Sequence, residues 1–127
     1  MQIVKIDDMK INFYKESELD KANLSESEKD LHMEIYSFLN KMSRMLHVKC
    51  PDIAFVNELF RKDKNTGFYS VLEASMYNSA KHPSLKNNLI LISRKCDDPI
   101  LLTGVLDHEM RQIWQDTYFP EMNCESA

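Results

Sequence analysis

Apolar positions recur at steps of three and four between residues 31 and 46: Leu31, Ile35, Phe38, Leu39, Met42, Met45 and Leu46. Lys29, Glu34, Asn40, Lys41 and Arg44 supply the polar complement, so the segment has two faces when coiled into an α-helix. Its start is marked by Ser25-Glu26-Ser27-Glu28, a capping box in which the serine accepts from the first turn and the glutamate reaches back. The pattern predicts a helix over residues 26–47 that ends before Pro51. A second helix is announced by Asp97-Asp98-Pro99, an N-cap followed by proline where the missing N–H costs nothing. It is predicted to run from residue 99 to residue 116, with Tyr118-Phe119-Pro120 closing it and a frayed tail over residues 121–127.

Between the helices the period changes. Ile53-Ala54-Phe55-Val56 has strand composition, the polar residues 61–65 lead to a turn at Thr66-Gly67, and residues 68–76 alternate as a second strand. Residues 81–84 read as a loop. Leu89 to Ser93 is a short apolar third strand, buried or pressed against a helix. Residues 2–6 and 9–14 alternate weakly around Asp7-Asp8 and predict an N-terminal hairpin. The order gives an α+β fold with helices packed on one face of a small antiparallel or mixed sheet.

At 127 residues the chain is sized for one domain, divided here into a hairpin (1–24), a core (25–117) and a tail (118–127). Hydrophobic content of 43% and charged content of 28% exclude disorder. Apolar runs such as Leu89-Ile90-Leu91-Ile92 fall far short of a membrane span. Sixteen basic against twenty acidic residues give a net charge of −4, which disfavours direct nucleic-acid binding and suits a basic protein partner. Two glycines exclude a glycine-rich phosphate cradle. The start of the chain lacks the pattern of a secretory leader, and the three cysteines are odd in number. Both features predict a reducing, cytoplasmic setting.

Candidate chemistry concentrates in Asp107-His108-Glu109-Met110-Arg111-Gln112-Ile113-Trp114-Gln115. On a helix of about 3.6 residues per turn, positions 108 and 112 share a face and Glu109 sits about 100° round. That is the geometry of the His-Glu-x-x-His zinc site, where two imidazoles hold the metal and the glutamate takes a proton from its bound water. Here Gln112 stands where the second histidine belongs. A carboxamide oxygen is a much poorer zinc donor than imidazole nitrogen.

The stretch resembles the His-Glu-x-Arg-His-x-Trp-Gln signature of small zincin-like metallopeptidase-type proteins of bacteria and their phages. The likeness covers residues 26–116 and implies a minimal zincin-like fold with a motif helix after a short sheet. It also implies zinc on His108 with the second-ligand role falling on Gln112, Glu109 as catalytic base if the protein is active, and structural roles for Arg111, Trp114 and Gln115. A third ligand normally comes from beyond the motif helix. Asp116 is the nearest candidate, with Glu121 and Cys124 behind it.

The missing histidine and the short downstream stretch favour a degenerate metal-binding protein over an enzyme. Its expected mode is stoichiometric inhibition of a basic partner, such as a CRISPR effector nuclease met by an anti-CRISPR-like protein in a host bacterial cell. An active minimal zinc metallopeptidase is the alternative. Tyr118 and Phe119, of residue types common at interface anchors, are the expected contact. His47 and Cys50 have chelating spacing but lack a second pair. Cys50 or Cys96 with His47 or His82 has no local sign of nucleophile chemistry. His32, beside Leu31 and Met33, is expected to face solvent.

Overall fold

The computed structural model describes residues 1–96 and 98–123. Strands β1 (Gln2–Ile6) and β2 (Met9–Phe13) form an antiparallel hairpin, turned through Asp7 at φ 53°, a left-handed conformation that aspartate tolerates. A 3-10 segment, Glu16–Lys21, precedes helix α1, Glu26–Leu46. Five strands follow: β3 (Asp52–Val56), β4 (Leu59–Lys62), β5 (Tyr69–Leu72), β6 (Ala74–Tyr77) and β7 (Leu89–Ser93). Helix α2 spans Pro99–Tyr118, and a last helical turn covers Pro120–Asn123.

The main sheet has the order β3-β7-β6, with β3 parallel and β6 antiparallel to β7. Every residue of β7 is buried, as its apolar composition requires of a strand covered on both faces. Ile53, Ile90 and Ile92 pack on one side against Ile35, Tyr36 and Leu39 of α1 and Leu106, Met110 and Ile113 of α2. On the other side Ala54, Leu89 and Leu91 meet Ile6, Ile11 and Phe13 of the hairpin. The α+β class holds, with both helices on one face.

Several expectations change in detail. Residues 68–76 are not one strand: β5 pairs with β4 in a separate hairpin, while β6 joins the main sheet. The chain changes sheets at Glu73, whose carbonyl accepts the Ser93 N–H. Strand β4 occupies part of the stretch expected to be a polar loop, because Leu59 is buried while Phe60, Arg61 and Lys62 remain exposed. Helix α2 continues two residues beyond 116. The tail begins with a helical turn, and residues 124–127, including Cys124, lie outside the described residues.

Helix α1 buries a face rotated from the predicted stripe. His32, Ile35, Tyr36, Leu39 and Ser43 point inward, whereas Leu31 and Met45 are exposed. The expectation that His32 faces solvent is therefore overturned: it is 6% exposed, with its ring edge-on to Phe55 and Nδ1 bonded to the Glu28 carbonyl. Hydrogen bonds select this face. The Tyr36 hydroxyl donates to the Tyr14 carbonyl and accepts the Ile53 N–H, and such partners make a polar group cheap to bury. Ser25 caps α1 by accepting the Glu28 N–H. The Glu28 carboxylate does not complete the box; it pairs with Arg94 at 3.5 Å.

Candidate functional site

Asp98 caps α2 as predicted, its Oδ1 accepting the N–H groups of Ile100 and Leu101. The motif sits on the later turns of this helix, with Met110 and Ile113 buried against the sheet. His108 is exposed. Glu109, Gln112 and Asp116 share a face at steps of three and four, and that face runs beside the edge strand β6.

The register of β6 explains what Glu109 does there. The Glu73–Ser93 hydrogen bond starts the antiparallel ladder, and hydrogen-bonded pairs alternate along it, so the Met76 N–H points to the free edge. That N–H faces the Glu109 carboxylate and favours its charged form. Burial is the largest influence on its carboxyl and raises the pKa above the usual range; the charges of His108 and Arg61 and the Met76 N–H oppose the shift.

Further along the same face, Gln112 Nε2 donates to Asp116 Oδ1 at 3.5 Å, and Asn78 Nδ2 donates to Asp116 Oδ2 at 3.1 Å. Asn78 follows β6 directly and is itself held by its Oδ1 accepting the Ala80 N–H. Asp116 thus fastens α2 to the residue after β6, and Glu109 lies beside the Met76 N–H. Arg111 pairs with Asp107 across one helical turn. Trp114 meets Tyr118 and Phe119 in tilted ring contacts with centroids 6.4 and 5.1 Å away.

As a zinc centre this donor set is incomplete. A structural site needs four ligands and a catalytic one three. Among the described residues no group of three or more histidine, cysteine, aspartate or glutamate side chains converges on a point. His108 is the one imidazole of the motif, and Gln112 and Asp116 are engaged with each other and with Asn78. The residues do not fit a resident zinc ion as they stand.

The remaining sequence candidates disperse. His47 is the left-handed C-cap of α1 at φ 54°. Burial lifts the Cys50 thiol to about 11, which keeps it protonated and unreactive. His82 lies edge-on to Tyr77. Tyr118 and Phe119 are 48% and 45% exposed, yet both also serve the fold. The Tyr118 hydroxyl donates to the His47 carbonyl and ties α2 to the end of α1, while Phe119 covers Trp114. Glu121 is exposed on the last turn.

Two features escaped the sequence reading. Residues 16–34 hold seven carboxylates and two lysines, a local excess larger than that of the whole chain, and counting charge by segment would have found it. The other is a cleft of about 610 Å³ between the first halves of α1 and α2. Its assembly from three separated segments leaves no local signal. No protein-family model, curated protein or solved structure matches the chain.

Proposed function

We propose that the chain is a binding protein on a zincin-like core with a degenerate metal centre, acting by stoichiometric contact with a basic protein. The observation that carries this reading is the acidic surface of residues 16–34, in which Leu31 and Met33 are 40% and 56% exposed. Opposed charge raises association rates, and exposed apolar side chains amid it hold the complex once formed. The core reading is supported by the element order, a long helix, a three-stranded sheet with an antiparallel edge, then the motif helix. Absence of turnover is supported by the engagement of Glu109 with Met76 and by Gln112 in place of imidazole. A nuclease that binds nucleic acid, such as a CRISPR effector in the host bacterial cytoplasm, has the required basic surface.

The test is inhibition of purified CRISPR effector nucleases, with binding followed by surface plasmon resonance. Asp20→Lys, Glu26→Lys and Asp30→Lys together should slow association by about tenfold or more with unchanged circular dichroism. Inhibition should saturate at one equivalent. Activity at a thousandfold lower dose, or a charge-reversed protein that associates at the original rate, refutes the reading.

The second reading, a minimal zinc metallopeptidase with metal on His108, Gln112 and Asp116 and Glu109 as base, is favoured by one observation. The raised Glu109 carboxyl lies at the free edge of β6, and perturbed carboxyls mark catalytic sites more often than chance. Elemental analysis decides it. Zinc near one per chain, lost in His108→Ala, together with peptide cleavage lost in Glu109→Ala, would establish the enzyme.

A further inference from the structure

The cleft between α1 and α2 opens at the carboxyl ends of the parallel strands β3 and β7, where open sheets bind ligands. Phe55 of β3 and Arg94, just after β7, border it. Its walls are Leu31, Ile35 and Phe38 from α1 and Leu102 and Leu106 from α2. A volume of about 610 Å³ falls in the range of small-molecule sites.

The polar groups around this apolar interior decide what would fill it. Asp98 occupies the α2 N-terminus by accepting the Ile100 and Leu101 N–H groups, so the helix does not offer them to an anion. Arg94 is committed to Glu28 and to the face of Phe55, its guanidinium 5.7 Å from the ring centroid. Thr103 spends its hydroxyl proton on the Pro99 carbonyl. Arg94 and Thr103 thus each direct a donor to the protein, and the Ser93 hydroxyl accepts the Lys95 N–H.

The acceptors are turned the other way. His32 bonds through Nδ1 to the Glu28 carbonyl at 2.7 Å; a carbonyl only accepts, so Nδ1 carries a proton, and in this tautomer Nε2 holds a lone pair. Among the described residues no fully buried side-chain nitrogen or oxygen lacks a partner, so Nε2, which bonds to no protein group, opens into the cleft. Glu34 also lines it, and its carboxylate meets no partner among the described residues. An apolar chamber with one imidazole acceptor and one unengaged carboxylate selects for N–H donors and positive charge.

We infer that this cleft binds a small organic cation, an apolar or aromatic body carrying an amine, amidine or guanidine. The apolar part lies against Leu31, Ile35, Phe38 and Leu102, and the charged end donates to Glu34 and His32 Nε2. The cleft adjoins the acidic surface proposed to meet a basic protein and shares Leu31 and Glu34 with it.

The test is a titration of the ¹⁵N-labelled full chain, followed by amide chemical shifts, with 2-phenylethylammonium and two isosteres, neutral 2-phenylethanol and anionic 3-phenylpropionate. The cation should move amides in residues 31–38 and 93–106 and bind at least about threefold tighter than either isostere, and Glu34→Gln should erase that preference. Leu31→Trp, placed at the exposed mouth, should abolish the shifts; Glu34→Gln, a surface change, keeps the test valid should the tryptophan variant fail to fold. Absence of shifts at about 10 mM cation, equal binding of the anion, or an unchanged preference in Glu34→Gln overturns the inference. So does binding of acetyl-Phe-Arg-amide where the free amine fails, which would make the occupant a side chain of a partner protein.

Discussion

Tyr36→Phe removes one oxygen atom from the best-connected point of the core. The ring is 1% exposed, and its hydroxyl joins three parts of the chain: it donates to the Tyr14 carbonyl at 2.8 Å and accepts the Ile53 N–H at 3.2 Å. Strand β3 is an edge of the main sheet, and the hydroxyl covers one of the N–H groups that its pairing with β7 leaves over. Phenylalanine keeps the packing but orphans the buried Ile53 N–H and the Tyr14 carbonyl. A buried group deprived of its partner costs about 1–3 kcal/mol. With relaxation around Tyr14, which is only half-buried, the expected loss is about 2 kcal/mol, or roughly 8 °C in Tm for a domain of this size. Burial also drives the Tyr36 phenol well above its usual range, so it stays protonated from about pH 6 to about pH 9 and the deficit should be constant across that interval. Urea denaturation at several pH values measures it, with hydrogen exchange at Ile53 as a local probe. A loss below about 0.5 kcal/mol, or unchanged protection of the Ile53 amide, would refute the bridging role.

Asp98→Ala should cost about 1 kcal/mol by uncapping α2, measured by urea denaturation. Glu109→Ala should cost about 1 kcal/mol and speed exchange of the Met76 amide if the carboxylate braces β6; unchanged exchange would leave Glu109 without a structural task. Asp52 gives a pH signature. Burial raises its carboxyl pKa, against the pull of Lys15 and Lys49, so the native state holds the proton more tightly than the unfolded chain. Stability from this group is therefore lost as pH rises from the unfolded value, about 3.9, through the raised native one. Asp52→Asn should be the more stable protein at neutral pH and lose that advantage near pH 3, followed by Tm at the two pH values.

What could be read from the sequence was whatever depended on neighbours along the chain. The N-cap and proline before α2, the buried run of β7 and the N-terminal hairpin each rest on a few adjacent residues, and each occurs where the pattern put it. The boundary between β5 and β6 did not show, because alternation continues through Glu73 while the chain passes from one sheet to another. The inward face of α1 did not show either. Hydropathy ranks His32 and Tyr36 below Leu31 and Met45, but the Tyr36 hydroxyl is buried with Tyr14 and Ile53 as partners and the His32 ring lies edge-on to Phe55, all distant in sequence.

The motif teaches the same lesson at the level of chemistry. Spacing placed His108 and Gln112 on one face, and the zinc reading followed from that pair. The packed helix instead uses the neighbouring face of Glu109, Gln112 and Asp116, which lies against Met76 of β6 and Asn78 after it. A histidine at position 112 that bound metal through one ring nitrogen could keep a bond to Asp116 only through the N–H of the other. Gln112 is thus more than a lost ligand: its amide donates to Asp116, which also receives Asn78. Gln112→His therefore separates two descriptions of the face. If the face has become a brace, the variant should gain no tight zinc by elemental analysis and should lose stability through the Asp116 network. Restored stoichiometric zinc with undiminished stability would mean that the metal geometry persists beneath the substitution.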